Sequence, residues 1–200
     1  ELIEMLSLRQ SSDIVFNQYE NKTLLNNLKI YLEYISNTNS GILVVGEAPG
    51  HLGCAITGIP FTCGYDIFSS KHDFFTKNSK NLKLDNIVKE SSSTSFWNYF
   101  GGEKKLPIVW NAFPFLPHEI NNIHTNRCPT KSEFEEGKEY LKVIHEFFKP
   151  SILIGIGREG EYVLKQMYPE REVFYVRHPG RGGEGKFIEQ MNSLKNKINF

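Results

Sequence analysis

One segment of the chain, residues 41–62, places an acid and an aromatic ring close after an apolar run. Residues 42–45 predict a short buried strand, and Glu47 follows that strand inside a glycine turn. An acid in this place could activate water or stabilise a developing cation. A carboxylate that only caps a backbone amide explains the spacing equally well. Phe61, near the end of the segment, could stack on a planar ligand. The alternative is that it packs in the hydrophobic core, as single Phe residues more often do.

Two more polar residues stand at the ends of later apolar runs. The runs at 107–112, 151–156 and 173–176 each predict a strand. Asn111 offers a donor and an acceptor, so it could read an amide-like edge such as that of a pyrimidine, or simply end its strand in an Asx turn. His178 could donate a hydrogen bond to a leaving group that becomes negative, or belong to a flexible basic loop.

The segment after the last predicted strand is rich in glycine and positive charge. Gly180 and Gly182 would let backbone amides approach a phosphate, and Arg181 and Lys186 add local positive charge. These residues favour a contact with a phosphate backbone. His118, His124 and Arg127, on a long loop after the second strand, are predicted to form a solvated face, with a phosphate contact as the alternative.

Helices are predicted between the strands, which favours an α/β fold with a mostly parallel sheet. The predicted helices span residues 23–35, about 130–148, 159–167 and 186–198. Residues 64–105 predict only one or two short helices and loops. Because ligands bind beyond the carboxyl ends of such strands, Glu47, Asn111, Arg158 and His178 are expected on one rim.

Composition limits the class of protein. The chain has 200 residues, which fits a single domain over 1–200, and 23 basic and 23 acidic side chains cancel. A protein that binds nucleic acid by general charge is usually basic, so any DNA contact must come from a local patch. The three cysteines form no CxxC pair and no paired histidines occur, so we expect no metal and no cofactor. A reducing intracellular compartment, cytoplasmic or nucleoid-associated, fits this usage, and no apolar run approaches a membrane span.

Together these blocks resemble the uracil-DNA glycosylase superfamily, and more closely its GEAPG-bearing branch. The resemblance covers about residues 41–187. The matching blocks are VVGEAPG (44–50), GIPFT (58–62), WNAFPF (110–115), the stretch 126–157 and VRHPG (176–180). The chain looks similar to family 4 of this superfamily, but it lacks the four cysteines that hold an iron–sulfur cluster there.

The resemblance implies a three-layer α/β/α sandwich with a four-stranded parallel sheet. It also implies hydrolysis of the N-glycosidic bond of a pyrimidine nucleotide flipped out of single- or double-stranded DNA by a monomeric enzyme. Its catalytic residues would be Glu47, acting on water or the sugar cation, and His178, bonding the base oxygen. The base would contact Gly46, Gly50, Phe61 and Asn111. The DNA would contact Arg177, Gly180, Arg181, Gly182 and Lys186, with Arg181 as wedge or phosphate contact.

One departure from the family pattern bears on the substrate. Some members place a bulky Tyr at the position of Gly50, where it excludes bases substituted at carbon 5. A glycine leaves room there unless Phe115 or another side chain fills the space. Three hypotheses follow: release of uracil or a related damaged pyrimidine, release of a bulky modified pyrimidine such as hydroxymethylated or glycosylated cytosine from foreign DNA, or a catalytically silent DNA-binding member.

Overall fold

The structure, a computed structural model, describes residues 1–198 and contains one four-stranded parallel sheet in that part of the chain. Across the sheet the strands lie in the order β3, β2, β5, β6, and a separate two-stranded antiparallel pair consists of β1 and β4. The strand bounds are β1 Val15–Phe16, β2 Asn39–Gly46, β3 Leu106–Asn111, β4 Leu116–Pro117, β5 Ile152–Ile156 and β6 Val173–Val176.

Helices cover both faces of the sheet and complete the predicted α/β/α sandwich, which is confirmed. Their bounds are α1 Leu2–Leu8, α2 Lys22–Thr38, α3 Cys54–Thr57, α4 Gly64–Ser69, α5 Asp73–Asn78, α6 Ser91–Phe100, α7 Lys131–Phe148, α8 Gly157–Met167 and α9 Glu184–Ile198. No helix among residues 1–198 combines the length and the apolar character that crossing a bilayer requires.

The sequence pattern explains why these elements form. The central strand β2 is a continuous apolar run whose residues 42–45 are fully buried, as expected for a parallel strand covered on both faces. Helix α7 begins at a capping box in which Thr130 and Glu133 satisfy each other's backbone amides. The segment 64–105 holds three helices rather than one or two, because its aromatic side chains pack into the core.

Strand register aligns the carboxyl ends of the sheet. Gly46 of β2 pairs with Asn111 of β3, and Val45 pairs with Gly155 of β5. The pairing continues one step beyond the strands, since the Phe113 amide donates to the Glu47 carbonyl oxygen at 3.0 Å. The loops that carry polar residues therefore leave the sheet at the same level.

Helix α8 approaches this edge of the sheet very closely. A Cβ atom at Gly160 would overlap the carbonyl oxygen of Val45, so only glycine lets the helix lie this near to β2. The first turn of α8 is thereby held beside the loop that follows β2. Glu159, in that first turn, is placed next to Glu47 as a consequence.

The long loop between β3 and α7 is anchored by one partly buried ion pair. The Arg127 guanidinium donates to both carboxylate oxygens of Glu133, at 2.6 and 2.7 Å, and also to the backbone carbonyls of Ile14 and His118. Glu133 is almost fully buried and belongs to the capping box of α7. The Arg127–Glu133 pair thus joins the loop, the start of α7 and the residues next to the antiparallel pair.

We predict that Glu133→Ala lowers the free energy of unfolding by about 2–4 kcal/mol, because it removes the cap and leaves the Arg127 charge without its partner. Urea unfolding followed by circular dichroism measures the change. The control is Glu135→Ala, two residues farther along α7. The Glu135 carboxylate is exposed and pairs with Lys138 at 2.6 Å. That variant should change stability by no more than about 0.5 kcal/mol. Equal losses in the two variants would contradict the anchoring role.

Candidate active site

A cavity of about 810 Å³ opens at the carboxyl ends of the parallel strands. Its walls come from the loops after all four strands and from the start of α6. The predicted residues that line it are Glu47, Gly50, Phe61, Asn111, Arg158, Arg177, His178, Gly180 and Arg181. Residues that are distant in sequence are therefore brought into one site of the size that proteins use to bind small ligands.

Three predicted site residues lie outside the walls of this cavity. Gly46 is buried beneath Phe61, and a Cβ atom there would overlap the Phe61 ring. Gly182 and Lys186 are exposed on the surface beyond the cavity, and Lys186 forms an ion pair with Glu189 at 3.1 Å. Any contact of these two residues with a ligand must come from the outer surface.

Glu47 has a neighbouring carboxyl in the cavity. Its ligand atoms and those of Glu159 lie within 4.8 Å of each other. Burial, followed by the charge of Glu159, raises the pKa of Glu47 to about 7, while the nearby Arg181 acts in the opposite direction. Glu47 is thus an acid whose charge changes near neutral pH, as a group that must exchange a proton during a reaction requires.

The Cys128 thiol joins these two carboxyls, so the three side chains lie close enough to share a cation. Burial, with the charges of Glu47 and Glu159, raises the pKa of Cys128 to about 11. The thiol therefore stays protonated at neutral pH. Of the other cysteines, Cys54 contacts Tyr19 and Cys63 contacts Asp66, so the three thiols do not converge on one centre.

His178 faces the cavity as a neutral imidazole. Burial, together with the charges of Arg177 and Arg181, lowers its pKa to about 4. Its Nδ1 accepts a hydrogen bond from the Gly180 backbone amide at 3.0 Å. A neutral imidazole that accepts at Nδ1 carries its proton on Nε2, so Nε2 is a hydrogen-bond donor with no positive charge.

Phe61 and Asn111 stand side by side above Gly46. The Asn111 Oδ1 atom lies 3.2 Å from the place of a Cβ atom at Gly46, so both side chains depend on that glycine. Phe61 packs against Phe96 at 5.3 Å and His178 at 6.0 Å between ring centroids. Within residues 1–198 the Asn111 amide has no side-chain hydrogen bond, so its donor and acceptor are open to a ligand.

The mouth of the cavity carries positive charge. Arg158 and Arg181 are exposed there, Arg177 is half-buried, and none of the three forms a salt bridge with a described residue. Arg181 has a φ of 51°, a left-handed conformation that is uncommon for a residue other than glycine. A tight turn thus holds Arg181 at the opening, as a local basic patch on a neutral protein.

The space beside Gly50 contains a carboxyl. A Cβ atom at Gly50 would lie 3.0 Å from Oε1 of Glu90, and one at Gly53 would overlap Oε2. The prediction that Gly50 leaves a free volume is therefore wrong in part, because Glu90 lies against this glycine. Phe115, the other side chain considered for this space, is fully buried against Tyr19 and Tyr140.

Sequence reasoning missed several wall residues. Glu159 could have been found, since it follows the end of β5 as Glu47 follows β2. Glu90 and Ser92 carried no signal, because they come from a segment without a recognisable motif. The expected solvated face is wrong for two of its members: His118 is buried, and Arg127 is paired with Glu133 and lines the cavity.

Comparison with known proteins shows the family and the fold of the chain. The family model of the uracil DNA glycosylase superfamily matches residues 33–191. Among solved structures, wild-type SMUG2 of Pedobacter heparinus is similar, with a TM-score of 0.70 and 16% sequence identity over 99% of this chain and 96% of that chain. At this identity the likeness shows the fold alone. No protein of curated function shows significant sequence similarity to the chain.

The fold and the site define a DNA glycosylase, a hydrolase of N-glycosyl bonds. The family match spans most of the sequence, and the chain belongs to the uracil DNA glycosylase superfamily. It is therefore a uracil-type DNA glycosylase in general, with the chemistry of base excision.

We predict that Glu159→Gln lowers the pKa of Glu47 below its value of about 7, because the substitution keeps a hydrogen-bonding group but removes a negative charge. Burial is unchanged, so the pKa should stay above the ordinary value. Glu47 is mostly protonated below about pH 7 in the wild type, so its carboxylate should appear at lower pH in the variant. Carbon-detected NMR titration of side-chain carboxyls, assigned with Glu47→Gln, measures this. Glu161→Gln, which removes an acid paired with Lys165, is the control. A Glu47 pKa unchanged by Glu159→Gln would contradict the coupling.

Proposed function

We propose that the enzyme releases uracil or a related damaged pyrimidine from a nucleotide flipped out of DNA, leaving an abasic site. The observation that carries this proposal is the placement of Glu47 and His178 on the same cavity as Phe61 and Asn111. The first two residues can stabilise the two charges that develop when a glycosidic bond breaks. The other two can hold a flat base with an amide-like edge.

On the sugar side, the reaction needs help with positive charge and with water. Cleavage of the bond between the sugar and N1 of the base leaves the electron pair on the base and a cationic sugar. The Glu47 carboxylate stabilises this cation and accepts a proton from the water that attacks the sugar carbon. Since the pKa of Glu47 is about 7, the share of enzyme able to play this role rises as the pH rises through neutrality.

On the base side, the leaving group becomes an anion. The Nε2–H group of His178 donates a hydrogen bond to a carbonyl oxygen of the base, where negative charge collects. A neutral donor suits this task, because a fully charged imidazolium would hold the released anion and would lose its proton to it. The low pKa of His178 keeps the ring neutral throughout the working range.

Recognition precedes the chemistry. Stacking on Phe61 and pairing with the Asn111 amide offset the cost of flipping, which is a few kcal/mol. Arg158, Arg177 and Arg181 lie around the cavity mouth, where they can contact phosphates, and Arg181 can enter the space that the flipped base leaves. The Gly182 amide, and Lys186 farther out, extend this surface, whereas the predicted phosphate contact of the Gly180 amide is wrong because that amide donates to His178 Nδ1. We propose that one copy of the chain suffices, since every group of this mechanism comes from one cavity and its rim.

A second candidate keeps the reaction and changes the base. The cavity of about 810 Å³ favours a pyrimidine with a substituent, such as a hydroxymethylated or glycosylated cytosine in foreign DNA, although Glu90 takes up part of the space beside Gly50. The third candidate, a catalytically silent DNA-binding protein, is not supported by the family match or by the Glu47 and His178 side chains in the cavity.

We predict that Glu47→Gln binds DNA as the wild type does but loses excision by about 10²–10⁴-fold, because the amide can neither accept a proton from water nor balance the sugar cation. The assay incubates single- and double-stranded oligonucleotides that contain one uracil, then cleaves abasic sites with alkali. Fluorescence anisotropy measures binding to the same oligonucleotides. Normal turnover by Glu47→Gln would remove Glu47 from the mechanism, and no release by the wild type from any pyrimidine would overturn the proposed function.

We predict that His178→Ala slows excision roughly a hundredfold or more, with little change in the affinity for uracil-containing DNA, because the lost hydrogen bond strengthens only as charge develops. Single-turnover rates and anisotropy on one oligonucleotide separate the two effects. His124→Ala, an exposed histidine on the loop after β3, serves as the control. Equal losses in rate and binding would show that His178 anchors the DNA instead.

A further inference from the structure

Three large apolar side chains are exposed close together on a part of the surface that the mechanism above does not use. Tyr65 and Phe68 lie one turn apart on α4 and are 39% and 59% exposed, and Ile87 is 65% exposed. The backbone of Ile87 lies against α4, since a Cβ atom at Gly64 would come within 3.0 Å of the Ile87 Cα atom. Single apolar residues are normal on a surface, whereas a group of them marks a contact with another molecule.

A lysine lies over one of the two rings. The Lys89 ammonium is 4.8 Å from the centroid of the Tyr65 ring, a distance at which a cation is attracted to an aromatic face. Tyr65, Phe68 and Lys89 thus form one surface, the Tyr65 patch. Within residues 1–198 neither Lys89 nor Lys71, which follows α4, forms a salt bridge. Both positive charges are therefore available to an anion.

The Tyr65 patch is joined to the wall of the cavity. Asp66, which is buried between the two ring-bearing positions, accepts a hydrogen bond from the Thr94 hydroxyl of α6 at 3.1 Å. Helix α6 begins at Ser91, which lines the cavity. Lys89 precedes Ser91 by two residues, which span at most about 7 Å. Stacked nucleotides follow one another at about 3.4 Å, so the patch begins roughly two nucleotides from the cavity.

The chemistry of this surface suits an unpaired stretch of DNA. Every base has a flat face that can stack on an aromatic ring, and lysines pair with the phosphates between the bases. In a duplex the faces of the bases are covered by their neighbours, so this contact requires unpaired DNA. The step rests on the proposed function, because the nucleotide held in the cavity is what brings the rest of its strand to the patch.

We propose that the Tyr65 patch is a stacking site for unpaired bases next to the target nucleotide in the same strand. The rings of Tyr65 and Phe68 contact the base faces, and the ammonium groups of Lys89 and Lys71 contact the phosphates. The enzyme thereby binds single-stranded DNA beyond the one nucleotide that enters the cavity. It acts on uracil in a single strand at a lower concentration than on uracil in a duplex.

The test compares three substrates that contain one uracil each. They are a long single strand with uracil at its centre, the same strand cut to one nucleotide on either side of uracil, and the long strand paired with its complement. Single-turnover rates at increasing enzyme concentration give the half-saturating concentration and the maximal rate for each substrate.

The variants separate the ring from its surroundings. Tyr65→Leu removes the ring and keeps an apolar side chain, whereas Tyr65→Phe keeps the ring. The control is Phe147→Leu, which removes a ring that is 69% exposed near the end of α7. Since α7 leads into the start of β5, this ring lies at the opposite edge of the sheet from the cavity. Thermal unfolding confirms that each variant is folded.

Tyr65→Leu should raise the half-saturating concentration for the long single strand roughly tenfold and leave the maximal rate unchanged, because the ring contacts a base that does not react. It should not affect the short substrate or the duplex. Tyr65→Phe should keep the wild-type preference for the long single strand, and Phe147→Leu should match the wild type on all three substrates. Lys89→Gln should reduce the salt dependence of binding to the long strand by about one counterion.

An equal effect of Tyr65→Leu on the long and the short single strands would show that the ring supports the cavity, and it would overturn the proposal. No effect on any substrate would also overturn it and would assign the exposed rings to a protein partner. In both cases uracil release by the wild type leaves the proposed function intact. If the wild type releases uracil from none of the three substrates, the proposed function fails and the proposed stacking site fails with it.

Discussion

The parallel pairing of β2 with β3 on one side and β5 on the other fixes where the loops that carry Glu47 and Asn111 leave the sheet. Gly46 lies level with Asn111, and Val45 lies level with Gly155, so the loops after three strands begin at one height. A shift of one residue in either pairing would turn Asn111 away from the cavity or bury Glu47, since side chains alternate between faces. The glycine at position 160 secures the same edge by letting α8 touch β2.

Charge is arranged in two zones around this edge. The acids Glu47, Glu90 and Glu159 line the cavity, while Arg158 and Arg181 stand at its mouth. A neutral protein can therefore attract a phosphate backbone locally, although its net charge is zero. This arrangement also raises the pKa of Glu47. Desolvation and the neighbouring acid Glu159 act on the Glu47 carboxyl more strongly than Arg181 at the rim does.

The sequence predicted the cavity residues that follow the strands. It missed two acids that lie at the beginnings of helices. The four sheet strands and the cavity positions of Glu47, Asn111 and His178 follow from apolar runs that end in polar turns, a local pattern. Glu159 and Glu90 reach the cavity from the start of α8 and the residue before α6. The position of Glu159 depends on the packing of α8 against the sheet. The position of Glu90 depends on the packing of α6 near the loop after β6. For Glu90 this placement depends on contacts between distant segments, which spacing along the chain does not encode, whereas Glu159 could have been found from its place after β5.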